Sequence, residues 1–556
     1  MKCMHAIAEI LKREGIHTLF CYPTTPIIEA VAQAGIRPIV CRQERVGVDM
    51  ASGYARMHDG RPPAVFAMQY GPGVENAFAG IATAHSDATP ILFLPLGHPR
   101  AHAQIFPLFK STRSLESVSK SAEDIGLPEH TEAVMRRAFS HLKNGRGGPV
   151  VVEVPLDVVN KDIGQEDLGY RPVRGHRSAA DWQDVERAAE LLLSARCPVI
   201  QAGQGVLFAQ ASEELVELAE LLQIPVMTTV DGKSAFPETH PLSLGTASLV
   251  FTGQGRSFFH EADVVFGVGS SLTHHPISQA PLPAGRRVIH LTNEPRDLNK
   301  SYHTEAGLLG DAKLVLRQLI TALSERLKGK PRSSDVAARI QREREAWMAK
   351  WAATLASDQK PLSPYRVISE FMRVVNPDEA VVTHDSGSPR DQLLPFYRSG
   401  GPRSYLGWGK SHQLGTGLGL AIGAKLAVPD RFCVNFMGDA AFGMTGLDFE
   451  TAVRVDAPIC TIVLNNATMA IETRTMARSH ALYGTRDIGG NYAAIARELG
   501  GWSLRVEDPS HIAGAIEQAR EKTREGHACL LEFITGPETA FSHRFGAPES
   551  GEPVIV

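Results

Sequence analysis

The feature that most constrains this chain is a rhythm that stops and restarts. Short apolar runs alternate with helix-length segments, and polar stretches interrupt the alternation twice. In the first series the strand candidates are Thr18–Cys21, 38–41, Ala64–Met68, 91–94 and 150–154, with helical patterns over 45–58 and 74–84 between them. Unbroken apolar runs fit strands whose two faces are both covered. Helix-length connections are what parallel neighbours need. Residues 160–180 are polar and carry Gly and Pro, which reads as a linker. A second series follows at Pro198–Ala202, 225–228, Val264–Val268 and 287–291, closed by a helix after Gly310-Asp311-Ala312. The charged stretch 328–360, with a polar helix of its own, reads as a second linker. A third series starts at Pro364, with strands at 380–383, 403–405, 432–436, 459–464 and 528–534. The expectation is an α/β protein of three doubly wound domains with parallel sheets, at residues 1–160, 180–327 and 361–537. Residues 538–556 hold Gly, Pro, Ser and several charges and read as a mobile tail or a lid.

Length agrees, because 556 residues exceed what one hydrophobic core can organise. A net charge of −4 gives no electrostatic reason to expect nucleic acid or an anionic membrane as partner. The 7 cysteines are scattered, odd in number and without a CxxC pair, so a reducing, cytoplasmic setting is expected. The first residues, from Met1 to Lys12, read as an amphipathic helix without a long apolar core and cleavage site. No uncharged apolar stretch is long enough to span a membrane.

Chemistry concentrates at two strand ends in the third series. The apolar run 432–436 leads into Gly438-Asp439-Ala440-Ala441, and the next run ends in Asn465-Asn466. Open α/β sheets bind ligands at the carboxyl ends of their strands. One carboxylate and two amides are hard oxygen ligands, which suit Mg²⁺ better than zinc. Magnesium seldom receives a full protein cage and completes its shell with phosphates and water, so a diphosphate ligand is expected beside it. Taken alone, the pair is also compatible with ordinary turn chemistry.

With its spacing, Gly438-Asp439-Ala440-Ala441 to Asn465-Asn466 resembles the cofactor motif of thiamine-diphosphate-dependent enzymes. Nearly the whole chain resembles the acetolactate synthase-like branch, with domains in the order pyrimidine-binding, middle, diphosphate-binding. The resemblance implies that Asp439, the Asn466 side chain and the Thr468 carbonyl bind Mg²⁺. It also implies that Gly438, Ala440, Ala441, Met469 and Ala470 line the cofactor. Arg42-Gln43-Glu44 through Gly53-Tyr54-Ala55-Arg56 resembles the family's catalytic-glutamate helix. Glu44 then sits against the cofactor's aminopyrimidine and promotes loss of the thiazolium C2 proton, which yields the nucleophile. That role needs a dry site, because a poorly solvated carboxyl holds its proton better. The usual His before the Glu is Gln43 here.

Further matches fill out the site. Gly71-Pro72-Gly73-Val74-Glu75-Asn76 resembles the turn beside the pyrimidine ring and implicates Gly71 and Asn76, with Pro23 on the neighbouring first-strand turn. Ala103-Gln104-Ile105-Phe106-Pro107 resembles a loop that carries an active-site glutamine, which makes Gln104 a candidate for hydrogen bonding the substrate oxygen. His384-Asp385-Ser386-Gly387-Ser388 occupies the diphosphate loop and implicates Ser386, Gly387 and Ser388. In His412-Gln413-Leu414, His412 would contact the cofactor and Leu414 would support its bent shape. The middle-domain stretches Gln201-Ala202-Gly203-Gln204-Gly205 and Val230-Asp231-Gly232-Lys233 also match. Acetolactate synthases bind FAD in this domain. The stretch Gly267 to His275 lacks the expected Arg, and Asn293 stands where Asp is usual, so FAD is not expected.

The family breaks or forms a carbon–carbon bond next to a carbonyl through an enamine. The expected substrate is a 2-oxo acid or a 2-hydroxy ketone (acyloin), and the expected activity is that of a lyase or carboligase. At Tyr22-Pro23-Thr24-Thr25, two threonines replace the usual Gly-Gly, and Gln69-Tyr70 replaces Thr-Ser. Thr24, Thr25, Tyr70 and Gln104 are therefore the candidate substrate pocket, and the pocket differs from that of an ordinary acetolactate synthase. A true acetolactate synthase and a catalytically idle cofactor-binding paralogue are the alternatives. A nicotinamide dehydrogenase is disfavoured, because no strand–GxGxxG–helix unit was found. By the resemblance, one cofactor is shared between the pyrimidine domain of one chain and the diphosphate domain of another. That makes a homodimer the minimum and a homotetramer the expected assembly.

Overall fold

The computed structural model describes residues 1–164, 167–247, 250–274, 280–473 and 475–544. Three parallel six-stranded sheets carry the fold. The first contains β1 (Thr18–Cys21), β2 (Arg37–Val40), β3 (Ala64–Met68), β4 (Ile91–Gly97), β5 (Ser121–Asp124) and β6 (Val150–Pro155), in the order β2-β1-β3-β4-β6-β5. The second contains β7 (Pro198–Ala202), β8 (Val226–Thr228), β9 (Ser243–Thr246), β11 (Val264–Val268), β12 (Arg287–Thr292) and β13 (Ala306–Leu309), in the order β13-β12-β11-β7-β8-β9. The third contains β14 (Ala380–His384), β15 (Tyr405–Leu406), β16 (Phe432–Gly438), β17 (Cys460–Asn465), β18 (Trp502–Val506) and β19 (Cys529–Ile534), in the order β15-β14-β16-β17-β19-β18. The first and third sheets thus share one winding, and the second has another.

In each sheet the first strand lies between two neighbours reached by opposite turns of the chain. A crevice opens where the winding reverses, at the carboxyl ends of β1 and β3, of β7 and β11, and of β14 and β16. The strands beside these crevices are buried on both faces, as their unbroken apolar sequences require: β3, β4, β6, β11 and β14 have no exposed residue.

The helix Glu44–Met57 is buried around most of its circumference. One side lies on the first sheet, where a Cβ on Gly47 would come within 2.5 Å of Phe66. The other side crosses the helix Thr416–Ala427 of the third domain almost backbone to backbone. A Cβ on Gly53 would sit 2.3 Å from the Leu420 carbonyl oxygen, and one on Gly423 would sit 1.9 Å from that of Met50. No side chain fits there, so glycine at both positions sets how closely the first and third domains approach within one chain.

Two segments depart from expectation. The stretch 328–360 is more than a linker, because its helix Val336–Leu355 buries Ile340, Trp347 and Leu355. Trp347 stacks on Phe396 at 4.9 Å and lies against Gly253, so the helix braces the middle domain against the third. The described part of the tail, 538–544, is tied down. The Tyr365 hydroxyl donates to the Ala540 carbonyl (2.6 Å), and β20 (His543–Arg544) pairs antiparallel with β10 (Val250–Phe251) of the middle domain. Among the described residues no helix is long and apolar enough to cross a membrane.

Candidate active site

The crevice of the third domain gathers residues from several strand ends. Ser386, Gly387, Ser388 and Pro389 follow β14; Gly438, Asp439, Ala440 and Ala441 follow β16; Asn466, Thr468 and Met469 follow β17; and Leu414 lies beside them. Asp439 begins the helix Asp439–Thr445 and is 4% exposed. Its Oδ1 accepts from the Ala440 N–H (2.7 Å), and its Oδ2 accepts from the N–H groups of Ala467 (2.7 Å) and Asn466 (3.1 Å). A carboxylate offers about four lone-pair sites, so three bonds orient Asp439 and leave it an acceptor position. Burial pushes its pKa upward, and the three N–H donors pull it back. Asn466 Oδ1 accepts from the Thr468 N–H (3.0 Å), and the Thr468 carbonyl accepts from the Ala470 N–H (2.9 Å). Each of these oxygens keeps a second lone pair.

Gly387, at φ 86°, opens the short helix Ser388–Leu393, a turn that side chains other than glycine disfavour. The expected crevice residues mostly converge, with two exceptions. His412 lies to the side, its Nδ1 2.9 Å from an Arg390 Nη. Ala470 is buried behind Met469 and does not line the crevice. Gln392, Leu464, Ile471, Thr535 and Gly536 also line it and were not anticipated. Thr535 and Gly536 follow β19, the neighbour of β17, so extending the strand-end rule by one strand would have found them.

The first domain holds a second group of candidates. Glu44 is the first residue of its helix, one position earlier than the sequence pattern indicated, and is 2% exposed. Burial raises its pKa, opposed by its backbone N–H and the Asn76 side chain. The next helix (Pro72–Ser86) starts beside Glu44: a Cβ on Gly73 would stand 3.6 Å from Glu44 Oε1 and would crowd Gln69 Cγ (3.1 Å) and Met68 Cβ (3.2 Å). Gly71 caps this helix at φ 55°. Tyr70 packs against His98 with ring centroids 4.8 Å apart. Thr25 is buried, and its hydroxyl accepts from the Ile27 N–H (3.3 Å) at the next helix start, whereas Pro23 and Thr24 are exposed. Gln104 is exposed beside Ile105, Phe106 and Leu108, and Phe106 is 93% exposed. Among the described residues, none of the first domain lines the third-domain crevice within this chain.

The middle domain's switch point opens into a larger polar cavity of about 560 Å³. Gly205 and Gly269 meet there backbone to backbone. The lining includes Asn293 and five cations, four of them paired with a carboxylate that also lines the cavity: Lys143 with Glu14, Arg146 with Asp297 (3.1 Å), Arg177 with Asp311 (3.7 Å) and Lys410 with Asp231 (3.0 Å); the fifth, Arg61, donates to the Phe208 carbonyl (3.5 Å).

Sequence comparison gives these crevices a common identity. Three family models match in order: the N-terminal thiamine pyrophosphate binding domain at residues 1–120, the thiamine pyrophosphate enzyme central domain at 185–319, and the C-terminal thiamine pyrophosphate binding domain at 385–533. The acetolactate synthase large subunit of Parasynechococcus marenigrum is 30% identical over 83% of this chain and 75% of its own length. The chain belongs to the thiamine pyrophosphate enzyme family. Similar relatives include a probable acetolactate synthase large subunit of Methanocaldococcus jannaschii (28% identical, 97% of this chain and 93% of the relative). Another is the glyoxylate carboligase of Escherichia coli O157:H7 (28% identical, 94% and 90%). The first- and third-domain crevices thus coincide with the two thiamine pyrophosphate binding domains, and the polar cavity lies where the central domain meets the other two.

Proposed function

We propose that this thiamine pyrophosphate enzyme is a Mg²⁺-dependent lyase or carboligase acting on a 2-oxo acid or a 2-hydroxy ketone, with each active site assembled from two chains. The observation that carries the reading is the division of labour between two crevices: a buried Glu44 with a raised pKa in one, and an Asp439 oriented by three N–H groups, with Asn466 and Thr468, in the other.

The donor set suits the ion. Asp439, the Asn466 side chain and the Thr468 carbonyl supply three oxygens with lone pairs to spare, and Mg²⁺ takes the rest of its shell from phosphate and water. The Ser386–Ser388 turn offers a hydroxyl and backbone donors to the diphosphate. Bound there, thiamine diphosphate supplies a carbon nucleophile and an electron sink for cleaving or forming the bond beside a carbonyl. Leu414 gives it an apolar surface to bend over. Glu44, its carboxyl pKa raised by burial, would face the aminopyrimidine nitrogen and could pass a proton to it. Its burial excludes the water that would level its pKa.

A second copy of the chain supports this arrangement. Phe78 (41% exposed) projects from the helix that carries Asn76, and Met444 (54%) from the helix that begins at Asp439, with Leu447 (61%) just beyond. These apolar side chains flank both half-sites, and a copy seated across them covers both at once. We assign Thr24, Tyr70 and Gln104 to substrate contact in that assembly. Thr25, whose hydroxyl is engaged in capping, contributes bulk. Four of the five cations lining the middle cavity are already paired with carboxylates, which reduces the positive charge offered to a dinucleotide's phosphates and supports a flavin-independent enzyme. The cytoplasm fits an enzyme with six buried free thiols.

The test is turnover by protein loaded with Mg²⁺ and thiamine diphosphate on a panel of 2-oxo acids and 2-hydroxy ketones, with products identified by mass spectrometry. Carboligation or cleavage of a substrate other than pyruvate as the fastest reaction supports the proposal. Pyruvate condensation as the fastest reaction makes the chain an acetolactate synthase, the reading its relatives' names favour. No turnover on any of them leaves an idle paralogue. Flavin absorbance in the purified protein would overturn flavin independence.

A further inference from the structure

One buried carboxylate in the third domain is bonded to both segments that shape the cofactor crevice, yet it does not line the crevice itself. Asp385 follows β14, is fully buried, and its N–H donates to the Phe436 carbonyl (2.6 Å), which extends the ladder to β16 by one residue. Its Oδ1 accepts from the Ser386 N–H (2.8 Å) and the Gly415 N–H (2.9 Å), and its Oδ2 accepts from the Gly417 N–H (2.9 Å). Ser386 opens the turn that runs along the crevice to Ser388. Gly415 directly follows Leu414, which lines the same crevice from another segment.

The geometry around this carboxylate is tight. Gly415 stands at φ 95°, and a Cβ there would meet Thr445 Cγ2 at 2.5 Å. A Cβ on Gly417 would meet Asn435 Oδ1 at 2.3 Å and the His384 carbonyl oxygen at 2.7 Å. The 415–417 turn therefore lies flush against the ends of β14 and β16 with its N–H groups aimed inward. Without Asp385, three buried N–H groups would lose their acceptor. Hydrogen bonds to a charged group, and buried donors left unmet, are among the stronger polar terms in a protein.

We infer that Asp385 is a positioning residue that staples the diphosphate-binding turn to the Leu414 turn, so that the crevice is shaped before thiamine diphosphate arrives. The inference rests on the proposed cofactor role of this crevice. Asp385→Asn keeps the size of the side chain but turns an N–H donor toward at least one of the three backbone donors. A pre-shaped site binds more tightly because the ordering cost is met in folding rather than in binding.

The experiment compares wild type and Asp385→Asn as full-length proteins. It measures the thiamine diphosphate dissociation constant at saturating Mg²⁺, kcat at saturating cofactor on the best substrate, and the melting temperature without cofactor. The expected result is a dissociation constant raised about tenfold or more, with kcat at saturating cofactor nearly unchanged and the apo protein still melting in one cooperative step, at a lower temperature. An unchanged dissociation constant overturns the inference. A fall in kcat at saturation with unaltered affinity also overturns it, because Asp385 would then act in catalysis. If wild type itself does not bind thiamine diphosphate, the functional reading fails, whatever the variant does. If the variant does not fold, hydrogen exchange on cofactor-free wild type decides. Gly415 and Gly417 amides protected like core strands support the staple, and exchange as fast as exposed loops contradicts it.

Discussion

Glu44 and Asp439 begin from the same physics and are set up for opposite tasks. Both are the first residue of a helix behind a crevice, both are nearly inaccessible, and burial raises the pKa of both. They differ in the donors that surround them. Asp439 receives three backbone N–H groups from two strand ends, which fix its orientation, pull its pKa back against burial and suit the cation-binding role proposed for it. Glu44 has only its own N–H and the Asn76 side chain to offset its loss of water. That balance suits the proton-passing role proposed for it. Burial makes a carboxyl sensitive to its neighbours, and the count of N–H groups aimed at it decides which use it can serve.

The comparison breaks most visibly through Glu44→Gln. Turnover is expected to fall by about two to four orders of magnitude, while thiamine diphosphate binding, measured by calorimetry, stays near the wild-type value. Asp439→Asn should reverse that pattern. Mg²⁺-dependent cofactor affinity should drop by at least about tenfold, and excess Mg²⁺ should restore part of it in an equilibrium titration.

A smaller effect concerns stability. Gly423→Ala drives a methyl group into the Met50 carbonyl and should destabilise the pairing of first and third domains by about 1–3 kcal/mol, seen as an earlier chemical-denaturation midpoint. The smallest effect is on pH. Burial pushes Asp87, Asp385 and Asp448 up to about 6. Their folded-state values lie above the unfolded carboxyl value, so the stability they contribute is complete at low pH and is lost as pH rises through about 6. These three favour a higher melting temperature of cofactor-free protein near pH 5 than near pH 7, while the lowered pKa values of His85 and of buried His290 and His384 favour the reverse. Asp385→Asn should therefore shift the pH 5 to pH 7 balance toward the higher pH. A variant that leaves the slope unchanged would remove Asp385 from the account.

The interior of each sheet could be read closely from the sequence. Thr18–Cys21, Ala64–Met68, Pro198–Ala202 and Val264–Val268 are strands with the expected limits, because a strand covered on both faces must be apolar throughout. Within the three large sheets the sequence pattern does not show β5, β9, β13 and β18, and all four are edge strands; nor does it show the short pair β10 and β20. Ser121-Ala122-Glu123-Asp124 has no apolar run to see, and its strand exists because Val150–Pro155 offers it a partner. In the third-domain crevice, Asp439 and Asn466 could be found because each stands directly after an apolar strand. Asp385 stood in the same kind of position, but its role depends on Gly415 and Gly417, some thirty residues away, and no local pattern records that turn. The hydroxyl of Thr25 was expected to face substrate and instead caps a helix, because a backbone N–H two residues on is the nearer partner.

The central claim is that the two crevices of one chain serve two different cofactors, each completed by a second chain. Co-expressing Glu44→Gln and Asp439→Asn chains tests it directly. A mixed dimer holds one doubly disabled site and one intact site, so random pairing should return activity to about a quarter of wild type although each parent alone is inactive. Mixed dimers, verified by mass, that remain as inactive as the parents would contradict the account.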